Sequence, residues 1–435
     1  MRSVEVMEMD AKQEPLYEFL AAAISGNEEQ ARAILTANQQ LPKSSIYTAA
    51  AAGEADIIQD MLMQDASLAT QPGGPEQWEP LLYLSFSCFL ADPQYNERFA
   101  QSAKLLLDYG ANANAFIVPK DAPCERKLSA LYGEAGVAGN AAVAQVLLEA
   151  GADPNDGESL YHAAEASGHE CLELLYRYGA DVNATPALFR KLDFEDVDGV
   201  QWFVDHGADL NLTLGDNGTP LHWAVVRGRS CSIVELLLKH GAPVNARRAD
   251  GKTAYMLAVR YGQQELADTL ARHGAWTDVD PTDRLFGSYA AADKQAVLGL
   301  LNNEPSLLAS LSDDDKMMLL EFAELDKAEA VKLMLETGFD SSIRREEGAA
   351  LHIAAWHGHI GTVRALIAHG ASLKLTNSYG GTPLESAIHG SIHSLRTGDH
   401  AAVVEALIQA GAAVPEKAEG SRDVRQVLCK YGASA

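Results

Sequence analysis

A Gly-Ala pair follows a leucine-rich helix end repeatedly along this chain: LLLDYGAN at 105–112, LLEAGAD at 147–153, LLYRYGAD at 174–181, LLLKHGAP at 236–243 and ALIAHGAS at 365–372. Gly110, Gly151, Gly179, Gly207, Gly241 and Gly274 fall about 28 to 41 residues apart, the spacing of a stacked helical repeat and not of independent domains. In such a stack each unit buries its apolar faces against its neighbours. The core is then long and narrow, and stability is a sum over adjacent interfaces.

The cleanest unit is GTPLHWAVVRGRSCSIVELLLKHGAPVN, residues 218–245. Thr219 can cap the first helix through its hydroxyl, and Pro220 takes the first helical position, where a missing amide proton costs nothing. Ala224 is small enough for close helix approach. Gly228 ends the helix, and Ile233, Leu236 and Leu237 recur at helical spacing on the second. This unit resembles the ankyrin repeat, with Thr219, Pro220, Leu221 and His222 standing at that family's helix-opening tetrapeptide. Looser copies are DGKTAYMLAVRYG at 250–262, GAALHIAAWHGH at 348–359 and GGTPLESAIHG at 380–390.

Diverged copies extend the array. Units begin near Leu16, Ile46, Leu81, Leu131, Leu160, Ala187, Thr219, Thr253, Phe286, Met317, Leu351 and Pro383, and a last helix at 421–431 reads as a cap. The expected fold is an all-α solenoid of about twelve helix-turn-helix repeats plus a C-terminal half-repeat, with short β-hairpin fingers between repeats. No leftover segment is long enough for an attached catalytic domain, and the diverged units resemble those of bacterial multi-repeat members. Near Pro281 a unit ends in Asn-Glu-Pro-Ser-Leu instead of Gly-Ala. That change predicts two blocks, 1–280 with about eight repeats and 281–435 with about four and the capping helix, or else one continuous solenoid. Two insertions, at 91–99 and 389–400, separate the first helix of a repeat from its second, and such loops often touch ligands.

Charge and composition narrow the function classes. The net charge of −26 repels phosphate backbones, so no nucleic-acid partner is expected. Between Arg227 and Arg272 the basic residues outnumber the acidic ones; a solvated mixed-charge face is the simpler account of this, an anionic ligand the other. No apolar stretch is long enough to cross a bilayer, and the N-terminal residues lack a secretory pattern, which predicts a cytoplasmic, acidic, monomeric protein without membrane contact. Five widely spaced cysteines suit reduced, buried thiols rather than staples.

Most histidines fit the repeat. His162, His222 and His352 are tetrapeptide histidines, which by the resemblance tie neighbouring loops together. His389 and His393 share a helix face if the first helix continues past Gly390, and their spacing suits a metal pair; a polar loop lacking a third ligand is the simpler expectation, so no metal or cofactor is predicted. The glycines of LYGEAGVAGN, 131–140, follow no strand and read as helix packing, not a phosphate cradle. No nucleophile elbow or paired acid/base site is recognisable, so no catalytic residue is assigned and the chain is expected not to be an enzyme.

The resemblance implies binding through a concave surface built from hairpin tips and first-helix ends. Reading those helix ends gives Arg227, Arg260, Tyr261, Glu324, Trp356 and His357, rich in the residue types that carry binding energy. The favoured expectation is a protein-binding scaffold holding a protein or peptide on this row. The alternative is an enzyme or small-molecule pocket in the last full repeats, built from Trp356, His357, Tyr379, His389, Ser391 and His393. Convergence of those side chains on a deep pocket would favour it, and an open groove would remove it.

Overall fold

The computed structural model describes residues 14–119, 126–394 and 398–434. Cys124, the acidic N-terminal stretch and residues 395–397 of the second insertion lie outside them. The chain divides into two compact units, Met1–Pro243 and Val244–Ala435.

Both units are built from successive short helix pairs. In the first unit Ile46–Ala52 leads to Ala55–Gln64, and Pro220–Val226 leads to Cys231–Lys239. In the second, Ala254–Arg260 leads to Gln264–Arg272, and Ala350–Trp356 to Ile360–Ala368. A helix of two turns does not hold alone in water, so these first helices depend on their neighbours. Their small residues allow the close approach: Ala49, Ala50, Ala51 and Ala224 are fully buried. Caps fix where each begins. The Thr219 backbone N–H donates to His222 Nδ1 at 3.2 Å, and Thr382 N–H donates to Glu385 Oε2 at 2.6 Å. Gly228, at φ 64°, adopts the left-handed turn that ends a first helix. Among the described residues two short antiparallel pairs form, Phe116–Ile117 with Leu128–Ser129 and Arg344–Arg345 with Gly348–Ala349.

The Gly-Ala pair has a partner that the sequence reading did not connect to it. Asn114, Asn155 and Asn183 each donate from Nδ2 to the carbonyl of the next repeat's glycine, Gly151, Gly179 and Gly207, at 3.0, 3.0 and 3.1 Å. Each Oδ1 accepts the N–H two residues beyond that glycine, of Asp153, Asp181 and Asp209, at 2.7, 2.8 and 2.7 Å. In the second unit Asn245 does the same with Gly274 and Trp276. Asn211 departs from the row: the position two beyond Gly241 is Pro243, which has no N–H to give, and Asn211 turns its amide to Asp209 Oδ1 at 3.2 Å. Asn183→Ala is therefore expected to cost about 1–2 kcal/mol and Asn211→Ala less than about 0.5 kcal/mol, read as the shift in a urea unfolding curve.

The glycine-spaced segment after Leu131 forms a seven-residue π-helix, Tyr132–Ala138. Packing explains Gly133, since a Cβ there would meet the backbone carbonyl of Ser85. Glu134 is fully buried within it, and neither carboxyl oxygen has a hydrogen-bond partner of good geometry. Burial pushes its carboxyl well above the usual range, only weakly opposed by the Ser85 hydroxyl. The thiols are not uniformly buried as expected: Cys171 is buried, whereas Cys429 is exposed. Among the described residues, no helix is long and apolar enough to cross a membrane.

Candidate functional site

The second unit holds a pocket of about 670 Å³ between the helices Ala350–Trp356 and Pro383–His393 and the loop that joins their repeats. Its apolar and aromatic lining is Ile353, half-buried Trp356, and the rings of His357, His389 and Tyr379. Glu324, Glu347, Glu385 and Arg345 supply the charge.

Local structure explains how each side chain is placed. The helix from Pro383 does not stop at a polar loop but runs through Gly390 to His393, correcting the simpler expectation for that insertion. Glycine is required at 390 because a Cβ would meet the backbone carbonyl of Trp356. The close approach sets the His389 ring against Trp356, with centroids 5.5 Å apart and planes tilted by 31°, and the His393 ring against His389 at 4.4 Å. His400 Nε2 lies 2.9 Å from the Trp356 carbonyl oxygen, fixing the same helix end from the other side of the insertion. His352, at the helix start, is neutralised by burial, which pushes its imidazole down, and its Nε2 lies 2.9 Å from the Leu375 carbonyl oxygen. That contact ties one loop to the next, as the family resemblance implies.

Tyr379 is 76% exposed at the tip of a turn organised by Asn377. Asn377 Oδ1 accepts the N–H groups of Tyr379 and Gly381 at 3.1 and 2.8 Å. Arg345 is held among carboxylates: Nη1 to Glu321 at 3.0 Å, Nη2 to Glu324 at 2.8 Å and Nε to Glu347 at 3.0 Å. Sequence reading missed Arg345, Glu347, Asn377 and Glu385. The Thr-x-x-Glu capping box at Thr382 and the Asn-Ser-Tyr-Gly-Gly turn were the signals available for the last two.

The structure sorts the residues singled out in the sequence. Glu324, Trp356 and His357, from the helix-end row, share the pocket with Tyr379 and His389, from the alternative set, so the two sets meet in one place. His393 is exposed behind His389. Ser391 does not line the pocket; its hydroxyl bonds the Ile388 carbonyl and accepts the Ser421 N–H at 2.9 Å, turning it toward the C-terminal helix. Arg227 belongs to the first unit, with Nε 2.9 Å from Asp193 and its guanidinium over Trp223.

Arg260 and Tyr261 are not surface residues, contrary to their expected place on an open row. Tyr261 is 6% exposed and packs edge-on against Phe322. Arg260 is 5% exposed, with Nη1 on Asp283 at 2.8 Å and Nη2 on Asp315 at 2.6 Å. The following repeats cover both. Much of the basic stretch from Arg227 onward is committed to carboxylates of the chain itself, as in Arg248 with the exposed Asp250 and Lys252 with the buried Asp283. Among the described residues no group of three or more His, Cys, Asp or Glu side chains is arranged to hold a metal ion.

A family model described as ankyrin repeats (3 copies) matches residues 189–283, 288–377 and 319–418, more than half of the chain. The chain belongs to the ankyrin-repeat family. Probable E3 ubiquitin-protein ligase XBOS32 of Oryza sativa subsp. japonica is 31% identical over 187 residues, 40% of this chain and 35% of that protein. E3 ubiquitin-protein ligase XBAT32 of Arabidopsis thaliana is 30% identical over 187 residues, 41% of this chain and 35% of that protein. Protein glp-1 of Caenorhabditis elegans is 30% identical over 187 residues, 38% and 14% of the two chains. Among solved structures, the human ASB11 ankyrin repeat domain covers 52% of this chain and 98% of that one at 20% identity, with a TM-score of 0.26.

These ankyrin relatives correct one expectation. A chain that is not an enzyme was predicted, yet two of the similar proteins are named E3 ubiquitin-protein ligases. The physical reason is that a repeat pattern describes a surface and is silent about chemistry carried beside it. The chain spans about a third of the length of the curated relatives it matches.

Proposed function

We propose that this ankyrin array binds a protein or peptide segment in the pocket between Trp356 and Tyr379. Ankyrin repeats mediate protein–protein interaction in general, and one observation supports this particular site: an aromatic and histidine lining, partly open to solvent, between the helices Ala350–Trp356 and Pro383–His393. Trp and Tyr give large contact area at low entropic cost, which is the composition of interface hot spots. The test uses peptides selected from a random display library on the wild-type protein. Trp356→Ala combined with Tyr379→Ala is expected to weaken their binding about 30-fold or more while leaving the melting curve nearly unchanged. Peptides bound equally well by the variant would remove the site, and a small molecule displacing them would favour the alternative occupant.

The names of the rice and Arabidopsis relatives support a second reading, a role in ubiquitin transfer in which this array holds the protein to be modified. Incubation with activating enzyme, conjugating enzymes, ubiquitin and ATP tests it. Conjugates that depend on the chain support that role, and their absence across a panel of conjugating enzymes counts against it.

A further inference from the structure

We infer that the π-helix Tyr132–Ala138 is a pH-responsive element of the first unit: ionisation of Glu134 opens this segment alone and withdraws Tyr132 from the surface it shares with the repeats on either side. Glu134 is fully buried, and neither carboxyl oxygen meets a hydrogen-bond partner of good geometry among the described residues. Once ionised it has to reach water, because an unpaired ion in the interior is far costlier than a protonated acid. The groups around it supply no counter-charge. Ser85, at the end of the helix Pro80–Ser85, offers a hydroxyl that opposes the burial only weakly. The Cys171 thiol of Glu170–Arg177 is itself kept protonated, by burial first and then by Glu170 and Glu134. Other titratable groups on elements packed against the π-helix are Cys88, Glu149, Tyr161 and His162, and none of them offsets the buried charge.

Backbone geometry makes this segment the part that moves most readily. The Glu134 carbonyl accepts the N–H groups of Gly139 and Asn140, the latter at 2.8 Å, so the end of the π-helix hangs on the residue whose side chain must leave. Asn140 is fixed independently: its Nδ2 donates to the Leu90 carbonyl at 3.1 Å and to Asn96 Oδ1 at 2.9 Å, and its Oδ1 accepts the Val143 N–H at 3.1 Å. Between these two points Val137 is 63% exposed, and Gly136 and Gly139 let the backbone rearrange at little steric cost. The Tyr132 ring lies 6.3 Å from Phe86 and 5.1 Å from His162, so turning the segment outward breaks ring contacts to both neighbouring repeats. The closed segment holds the Glu134 proton more tightly than the open one. Opening is therefore independent of pH below the ordinary glutamate range, rises about tenfold per pH unit above it, and levels off once the closed form ionises as well.

Hydrogen exchange read by mass spectrometry between about pH 5 and pH 9, with each rate divided by that of the unstructured peptide, tests this. Protection over residues 132–140 is expected to fall about tenfold per pH unit within that range, while the helices Ala141–Glu149 and Pro220–Val226 keep theirs. In Glu134→Gln, which cannot ionise, protection of the segment is expected to be the same at every pH; Glu134→Met gives the same comparison should the glutamine variant fail to fold. Protection lost in step across the first unit would show that ionisation unfolds the whole unit, and would overturn the inference. A wild-type segment indifferent to pH would overturn it as well, and so would a pH dependence that survives in the substituted protein.

Discussion

Asp283→Ala is expected to destabilise the second unit by about 3–5 kcal/mol, the largest effect of any single substitution considered. Asp283 is fully buried and meets two cations: Lys252 Nζ at 2.8 and 2.9 Å from its two oxygens, and Arg260 Nη1 at 2.8 Å. Arg260 continues to Asp315 and lies over the Phe286 ring, 4.4 Å from its centroid. Three successive repeats are joined through this cluster. Removing the central carboxylate leaves a buried guanidinium short of its counter-charge, and the cost of an unpaired buried ion far exceeds the net worth of the pair. Burial alone would raise the Asp315 carboxyl, but hydrogen bonds from Ser312 and the Arg260 guanidinium outweigh it and hold the group below its usual range. Its contribution is accordingly present above the ordinary aspartate value and lost as pH falls through the lowered one. The control is the solvent-exposed pair Lys294 with Glu336, 2.8 Å apart, whose removal is expected to leave the unfolding curve nearly unchanged, because water and salt screen it. Equal losses at both sites in urea unfolding would show that the buried cluster does not hold these repeats together.

Glu134→Met is expected to stabilise the first unit by about 2–4 kcal/mol near pH 8, and by progressively less as the solution is acidified. Most substitutions of buried residues destabilise, so the sign is the test. Glu134 in the folded protein holds its proton more tightly than the unfolded chain does, because burial disfavours the carboxylate. Folded protein therefore binds more protons across the interval between the two values. The stability that the protonated acid permits is complete below the ordinary glutamate range and is lost as pH rises through the raised folded-state value. Methionine has similar length and no charge to desolvate, so the variant should show a flatter dependence of unfolding free energy on pH. A variant with the wild-type slope would place the ionised carboxylate in contact with something that stabilises it.

Residues placed by the repeat period were readable, and residues whose surroundings come from another repeat were not. Trp356 and Arg260 occupy the same station, the end of a first helix, and the pattern treats them alike. What differs is the unit that follows. Next to Arg260 it places Asp283 and Phe286, which close over the guanidinium; next to Trp356 it places His389 and a glycine at 390, which let the helices touch while leaving the indole half-covered. The pairing of Arg260 with Asp315 joins positions 55 residues apart in sequence. No local propensity signals such a contact. Glu134 escaped notice for the same reason, since a carboxylate in a glycine-spaced stretch reads as solvated until the neighbouring repeats are in place.

What the sequence determined by itself was the repeat: a Gly-Ala pair at the end of each second helix, a Thr-Pro-Leu-His start where it survives, and hence a stack of helix pairs. Those features are local, because a left-handed glycine or a capped first turn depends only on nearby residues. Tertiary structure decided what the pair is for and where the surface stays open. The carbonyl of each glycine in the regular stretch is gripped by an asparagine of the preceding repeat, and the grip is lost where proline removes the accompanying N–H. Exposure of a helix end depends on the volume and charge that the next repeat sets against it, and that is a property of two repeats together.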